Sequence, residues 1–316
     1  MKLQTTIPFK PERNQIDYSS KVLLLGSCFA ENIGAKLNYF KFQNTLNPFG
    51  ILFHPIAIER GITRALNEVH YTEEDVFFEN ERWHCFEAHS QLSSASEETL
   101  LEQLNAALHT LKQSLEAASH IVLTFGTAWV YRFIETDAIV ANCHKVPQRK
   151  FLKELLTPSQ IEESILAIEA LVRDVNPNVN FIYTVSPVRH IKDGIVENSR
   201  SKAHLLAGVH QAVAPRKHNY YFPSFEIQMD ELRDYRFYEE DLLHPTNTAI
   251  TIIWEHFKTV WISSETLQLQ KEIDFIQKGL QHRSFNPDSL AHKEFELKLK
   301  EKITVVESLI LNCKFS

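Results

Sequence analysis

KVLLLGSCFAENIGAKL, residues 21–37, decides the fold. Val22, Leu23, Leu24 and Leu25 form a short continuous apolar run, the pattern of a strand buried on both faces. Gly26-Ser27-Cys28 ends that run, and Ala30, Ile33 and Leu37 then recur at helical spacing. A strand that turns sharply into a helix is the repeating unit of α/β proteins. A serine at such a corner is either ordinary turn chemistry or a nucleophile presented from the carboxyl end of a strand.

The same rhythm repeats downstream. HIVLTFGT (120–127) and VNFIYTVSP (179–187) are further apolar runs, ended by Gly126-Thr127 and Ser186-Pro187. Helical patterns lie between them. HPIAIERGITRAL (54–66) carries Pro55 in its first turn. Residues 94–115 place Leu100, Leu104, Leu108, Leu111 and Leu115 on one face, with Ser94 or Ser96 as cap. Residues 158–173 and 196–214 are helical as well, and NYYFPSFEI (219–227) reads as a fourth strand broken at Pro223. Thr246 to Trp261 forms the last helix of this unit. Two excursions interrupt the alternation: a hairpin within 76–92, split at Glu79-Asn80-Glu81, and a second turning at Thr136-Asp137.

Strands alternating with helices predict a three-layer α/β/α sandwich around a doubly wound parallel sheet. Sites in such sheets form beyond the carboxyl ends of the strands. Gly26-Ser27, Gly126-Thr127 and Ser186-Pro187 all fall at that edge. Beyond residue 263 the pattern changes to two amphipathic stripes, Leu269, Ile273, Ile276 and Leu280, then Phe295, Leu299, Ile303, Val306 and Ile310. Glu294–Lys298 and Glu296–Lys300 are favourable i,i+4 pairs. The division is therefore a domain over 1–263 and a C-terminal helical hairpin over 264–316, which either packs on the domain or forms a homodimer.

Composition narrows the function. The 33 basic and 40 acidic side chains leave a net charge of −7, which argues against nucleic-acid or membrane-surface partners. No run approaches the ~18 consecutive apolar residues of a membrane span, and the opening residues lack the apolar core of a secretory signal, so a cytoplasmic location is expected. Cys28, Cys85, Cys143 and Cys313 are scattered without a C-x-x-C pair, as reduced structural thiols are. Phosphate-loop, dinucleotide and zincin motifs are absent. His84-Cys85, His89 and Cys143-His144 offer soft ligands without regular spacing, so no metal and no organic cofactor is expected.

A serine needs a base, usually a histidine oriented by a carboxylate. Asp241-Leu242-Leu243-His244 supplies both in one turn, directly before Pro245 and the capping residue Thr246. Read alone, D-x-x-H is also an ordinary helix start. Oxyanion donors are sought among the backbone amides of Ser27 and Cys28, of Gly50 and of Gly126-Thr127, with the Asn47 side-chain amide as an alternative. Cys28 is the alternative nucleophile. Asn47, His89, Ser90, Trp129, Asn142 and His144 are candidates to line the substrate pocket, with packing roles as the alternative; Arg189-His190 is either an anion contact or a solvated loop.

Gly26-Ser27-Cys28-Phe29-Ala30 spells the motif of the GSCFA domain family, and the chain resembles that family over most of 20–260. The resemblance includes Asn47-Pro48-Phe49-Gly50, His89-Ser90, Phe125-Gly126-Thr127, Val185 to Val188, Asn198 to Lys202, Phe222 to Glu226 and the terminal D-x-x-H-P. That family in turn resembles the SGNH (GDSL-like) hydrolases. The resemblance implies a flavodoxin-like fold, Ser27 as nucleophile, Asp241 and His244 completing a triad, and Gly50 as an oxyanion glycine. It departs from that pattern at Gly126-Thr127-Ala128-Trp129, where those hydrolases carry Gly-x-Asn. The expected activity is hydrolysis of a small-molecule or carbohydrate ester, with O-acyl transfer on the same site or a carbohydrate-binding module as alternatives. A working triad would place Ser27 Oγ within about 3.5 Å of a His244 ring nitrogen.

Overall fold

Alternation within the first strand sets up the layers. In β1 (Lys21–Gly26), Leu23 and Leu25 face one apolar cluster while Val22 and Leu24 face another. The structure, a computed structural model, describes residues 5–213, 217–310 and 313–315. After β1 come α1 (Cys28–Tyr39), β2 (Gln43–Leu46) and α2 (Pro55–Leu66). A small hairpin, β3 (Phe77–Glu79) and β4 (Arg82–His84), precedes α3 (Glu97–Ala117) and β5 (His120–Phe125). The excursion is a three-stranded antiparallel sheet of β6 (Trp129–Phe133), β7 (Ala138–Val140) and β8 (Phe151–Leu155). Then follow α4 (Pro158–Val175), β9 (Asn180–Val185), α5 (Ile195–Val213), β10 (Asn219–Tyr221), the single turn α6 (Ser224–Glu226) and α7 (Asn247–Trp261).

The main sheet has five parallel strands in the order β10-β9-β5-β1-β2. Read from β2, this is the 2-1-3-4-5 order of a doubly wound sheet, whose switch point lies between β1 and β5. Helices α2, α3, α4 and α5 cover one face together with Leu23, Ile121, Phe181 and Tyr183. Helices α1 and α7 cover the other, over Val22, Leu24, Val122 and Ile182. The three-layer α/β/α fold expected from the sequence is the one observed. Ser27 and Gly126 thus stand at the switch point, side by side at the carboxyl edge.

Two local expectations are corrected, and one strand is added. β2 is a short strand of partly buried polar residues that the apolar pattern does not reveal. The strand expected over 219–227 is only β10, because Pro223 caps α6 instead of continuing the sheet. The excursion carries a third strand, β8, against β6.

The C-terminal hairpin is α8 (Leu267–Gln281) and α9 (Leu290–Leu309). It packs on the domain beside α1: Tyr39 Oη donates to Asp274 Oδ1 at 2.9 Å, and Gln277 Nε2 donates to the Tyr39 carbonyl at 3.0 Å. Among the described residues, α9 pairs Lys302 with Glu272 and Glu307 with Lys314 and sets His292 against Glu296, rather than pairing Glu294 with Lys298 and Glu296 with Lys300. No helix of the described residues is long and apolar enough to cross a membrane.

Candidate active site

Gly26 makes the corner possible. Its φ is +135°, and a β-carbon there would stand 2.1 Å from the Thr124 carbonyl oxygen of β5, so no side chain fits. Ser27 follows as the N-cap of α1, with φ −72° and ψ 172°. Its hydroxyl makes no capping bond. It is fully buried and has no hydrogen-bond partner, an uncommon state for an enclosed polar group.

Asp241 and His244 form the unit that the spacing suggests. Asp241 Oδ2 lies 2.6 Å from His244 Nδ1, while Oδ1 accepts the amides of Leu243 (2.8 Å) and His244 (3.0 Å). The His244 amide, the imidazole and the Leu243 amide together hold the Asp241 carboxyl down to about 2. With Nδ1 engaged by the carboxylate, Nε2 is the nitrogen left to accept a proton. Both side chains are about half exposed. Their loop lies against the exit of β9, where the Arg189 amide donates to the Leu243 carbonyl at 3.3 Å. The expected Ser27–His244 hydrogen bond is not made in this structure, since Ser27 Oγ has no partner.

The imidazole that shares a gap with Ser27 is that of His190. A β-carbon built on Gly126 would lie 3.1 Å from His190 Nε2 and 3.2 Å from Ser27 Cβ, so the two residues flank the same small gap. Phe53 closes its third side, 3.2 Å from that point, and packs edge-on against the His190 ring with centroids 5.2 Å apart. The His190 amide is fixed by Asn198 Oδ1 at 2.9 Å. The Arg189 guanidinium stacks on Tyr238, 4.1 Å from the ring centroid.

Most of the amides expected to form an oxyanion hole donate elsewhere. Ser27 N–H donates to the Thr124 carbonyl (3.0 Å), Gly50 N–H to the Asn47 carbonyl (2.8 Å), and Gly126 and Thr127 N–H both to the Phe53 carbonyl (2.8 and 3.1 Å). The amides of Cys28 and Phe29 point toward the Cys28 thiol. Burial raises that thiol, which disfavours the thiolate a cysteine nucleophile needs. Asn47 differs. Its Oδ1 accepts Gly26 N–H at 2.9 Å, and its Nδ2 is enclosed without a partner.

Helix α5 supplies residues to which sequence reasoning gave no role. Asn198, Ser201 and Lys202 share one buried face of it. Ser201 Oγ accepts the Ala128 amide at 2.7 Å and bonds Thr127 Oγ1 at 3.0 Å. Lys202 Nζ donates to the carbonyls of Gly126 and Ser186, both at 2.7 Å. One helix face therefore latches the loops leaving β5 and β9. Burial lowers the lysine to about 7, against a smaller upward pull from Cys28. The advance signals were the polar cluster Asn198 to Lys202 inside an otherwise apolar helical pattern and its place among the blocks of the GSCFA resemblance.

The remaining pocket candidates divide. His89 packs beneath the Gly50 turn, where a Gly50 β-carbon would stand 2.5 Å from His89 Cβ; Ser90 is exposed. Trp129 Nε1 donates to the Glu197 carbonyl at 3.1 Å, which ties β6 to α5. Asn142 Oδ1 accepts the His144 amide at 2.9 Å. His144 is a packing residue: it is buried against Phe77, Phe86 and His84, its Nε2 lies 2.7 Å from the Cys85 carbonyl, and burial lowers it to about 4. Among the described residues, no group of three or more His, Cys, Asp or Glu could hold a metal ion.

Residues 21–257 match the family model described as GSCFA family. Residues 273–315 match the one described as GSCFA domain protein, C-terminal domain. No curated protein matches the chain.

Proposed function

We propose a serine ester hydrolase from one premise: this chain belongs to the GSCFA family. The observation that carries the reading is the Ser27 hydroxyl, buried and unpartnered at the switch point of the sheet. The Asp241–His244 pair at 2.6 Å and the resemblance to SGNH hydrolases support the roles. Substrate displaces His190 from above Gly126 and the 241–244 loop closes on Ser27. His244 Nε2 takes the Ser27 proton as Oγ attacks the ester carbonyl carbon. The tetrahedral oxyanion collapses, the alkoxide leaves with that proton, and water repeats the sequence to free the acid. Small esters, such as acetyl groups on a carbohydrate, are the proposed substrate class.

The test is turnover of p-nitrophenyl acetate and of an acetylated sugar by the full chain. Ser27→Ala and His244→Ala should each abolish it, and His190→Ala should spare it. The gap beside Gly126 that His190 Nε2 shares with Ser27 Cβ favours a second assignment, His190 as the base. Loss in His190→Ala with activity retained in His244→Ala would establish that assignment. Product diverted to an added sugar acceptor would make the enzyme an O-acyltransferase. No Ser27-dependent turnover, with sugar binding retained, would make the chain a binding module.

A further inference from the structure

An acyl-transfer site needs a donor aimed at the oxygen that becomes negative, close to the nucleophile and shielded from water. Four of the backbone amides around Ser27 are already bonded to carbonyls, those of Ser27, Gly50, Gly126 and Thr127. The side chain of Asn47 is not so used. Gly26 N–H donates to one end of its amide at 2.9 Å, which identifies that end as Oδ1 and the other as the NH2 group. The NH2 group is enclosed and has no acceptor. The side chain is nine-tenths buried, so water does not replace the missing partner. A buried donor left unpaired destabilises the resting fold, and holding Gly26 in place requires only Oδ1.

The Ser27 hydroxyl is the second orphan at the same corner: it follows Gly26 in the chain, while Asn47 is hydrogen-bonded to Gly26. Asn47 holds its position with φ at +42°, in the left-handed region that asparagine tolerates. Its backbone N–H donates to the Leu24 carbonyl at 2.9 Å. The donor is therefore rigid before any substrate arrives, as electrostatic stabilisation requires.

We infer that Asn47 Nδ2 is the oxyanion donor of this site, in place of the asparagine missing after Gly126; the inference rests on the ester-hydrolase reading. When Ser27 Oγ bonds to the carbonyl carbon, the carbonyl π pair moves onto oxygen and Asn47 Nδ2 donates to it. Collapse returns that pair to the C–O bond and expels the alcohol.

The test compares p-nitrophenyl acetate kinetics of wild type, Asn47→Asp and Asn47→Gly. Asn47→Asp keeps an acceptor for Gly26 N–H and removes the donor; Asn47→Gly removes the side chain and tolerates the backbone angle. The expected result is a loss in kcat of about 100- to 1,000-fold with KM nearly unchanged. A kcat within threefold of wild type in folded variants, with Ser27→Ala inactive, overturns the inference and leaves the hydrolase reading standing. Absence of Ser27-dependent turnover in wild type overturns both. A crystal structure of the fluorophosphonate adduct of the wild-type chain decides the point without a variant. The phosphoryl oxygen is expected within about 3.2 Å of Asn47 Nδ2; an adduct whose oxygen is held by other donors overturns the inference.

Discussion

Gly26→Ala is expected to destabilise the protein by about 2–6 kcal/mol, a large share of the roughly 5–15 kcal/mol that holds a domain folded. Two effects add. A non-glycine residue at φ +135° carries a backbone penalty of about 1–3 kcal/mol. The new β-carbon would also stand 2.1 Å from the Thr124 carbonyl oxygen, 2.8 Å from its carbon and 2.9 Å from its nitrogen. All three are backbone atoms of a central strand, so β1 and β5 must separate. That movement strains the bonds from Ser27 N–H to Thr124 (3.0 Å) and from Leu52 N–H to Gly26 (3.0 Å). Overpacking of this kind costs about 1–3 kcal/mol. Gly194→Ala isolates the first effect, since Gly194 has φ +105° and nothing within 4 Å of its would-be β-carbon. Urea unfolding followed by circular dichroism measures both variants against wild type. Equal losses for the two, or a loss under about 1 kcal/mol for Gly26→Ala, would refute the argument that β5 forbids a side chain at the corner.

Three further outcomes follow from the site. Lys202→Met should remove a pH dependence: with the folded-state lysine near 7, the unfolded chain binds more protons between about pH 7 and 10, so wild-type stability rises with pH there, and the variant, followed by urea unfolding across that range, loses the rise. Asp241→Asn should fold normally and lower kcat by about 10²–10⁴-fold, measured on the same ester. Because Asp241 is held near 2, its favourable contribution is present above its ordinary range near 4 and is lost only as pH falls through about 2, so acid inactivation above pH 4 must come from another group. Ser201→Ala leaves the Ala128 amide without its 2.7 Å acceptor and should cost about 1–3 kcal/mol by urea unfolding.

The main strands were legible because β1, β5 and β9 are buried on both faces and so read as unbroken apolar runs. β2 was not, because Gln43-Asn44-Thr45 lies at the sheet's edge, where burial does not dictate side-chain type. The pairing of Asp241 with His244 could be read from spacing, since one turn brings i and i+3 together. Lys202 could not: a lysine in a helical pattern reads as a solvated face until the carbonyls of Gly126 and Ser186 are seen at its Nζ. His190 was visible only as a loop residue, because its position beside Gly126 depends on the packing of Phe53 and the anchor at Asn198. The amides at the corner illustrate the same limit. Sequence marks where N–H groups gather, but not that Thr124, Asn47 and Phe53 carbonyls already receive them.

Whether Ser27 is a nucleophile is read out by peptide mapping with mass spectrometry after treatment with a fluorophosphonate. One adduct per chain is expected, on the peptide containing Gly26-Ser27-Cys28, lost in Ser27→Ala and suppressed in His244→Ala. A folded wild-type protein that stays unmodified, or one modified at a different residue, would contradict a nucleophilic Ser27.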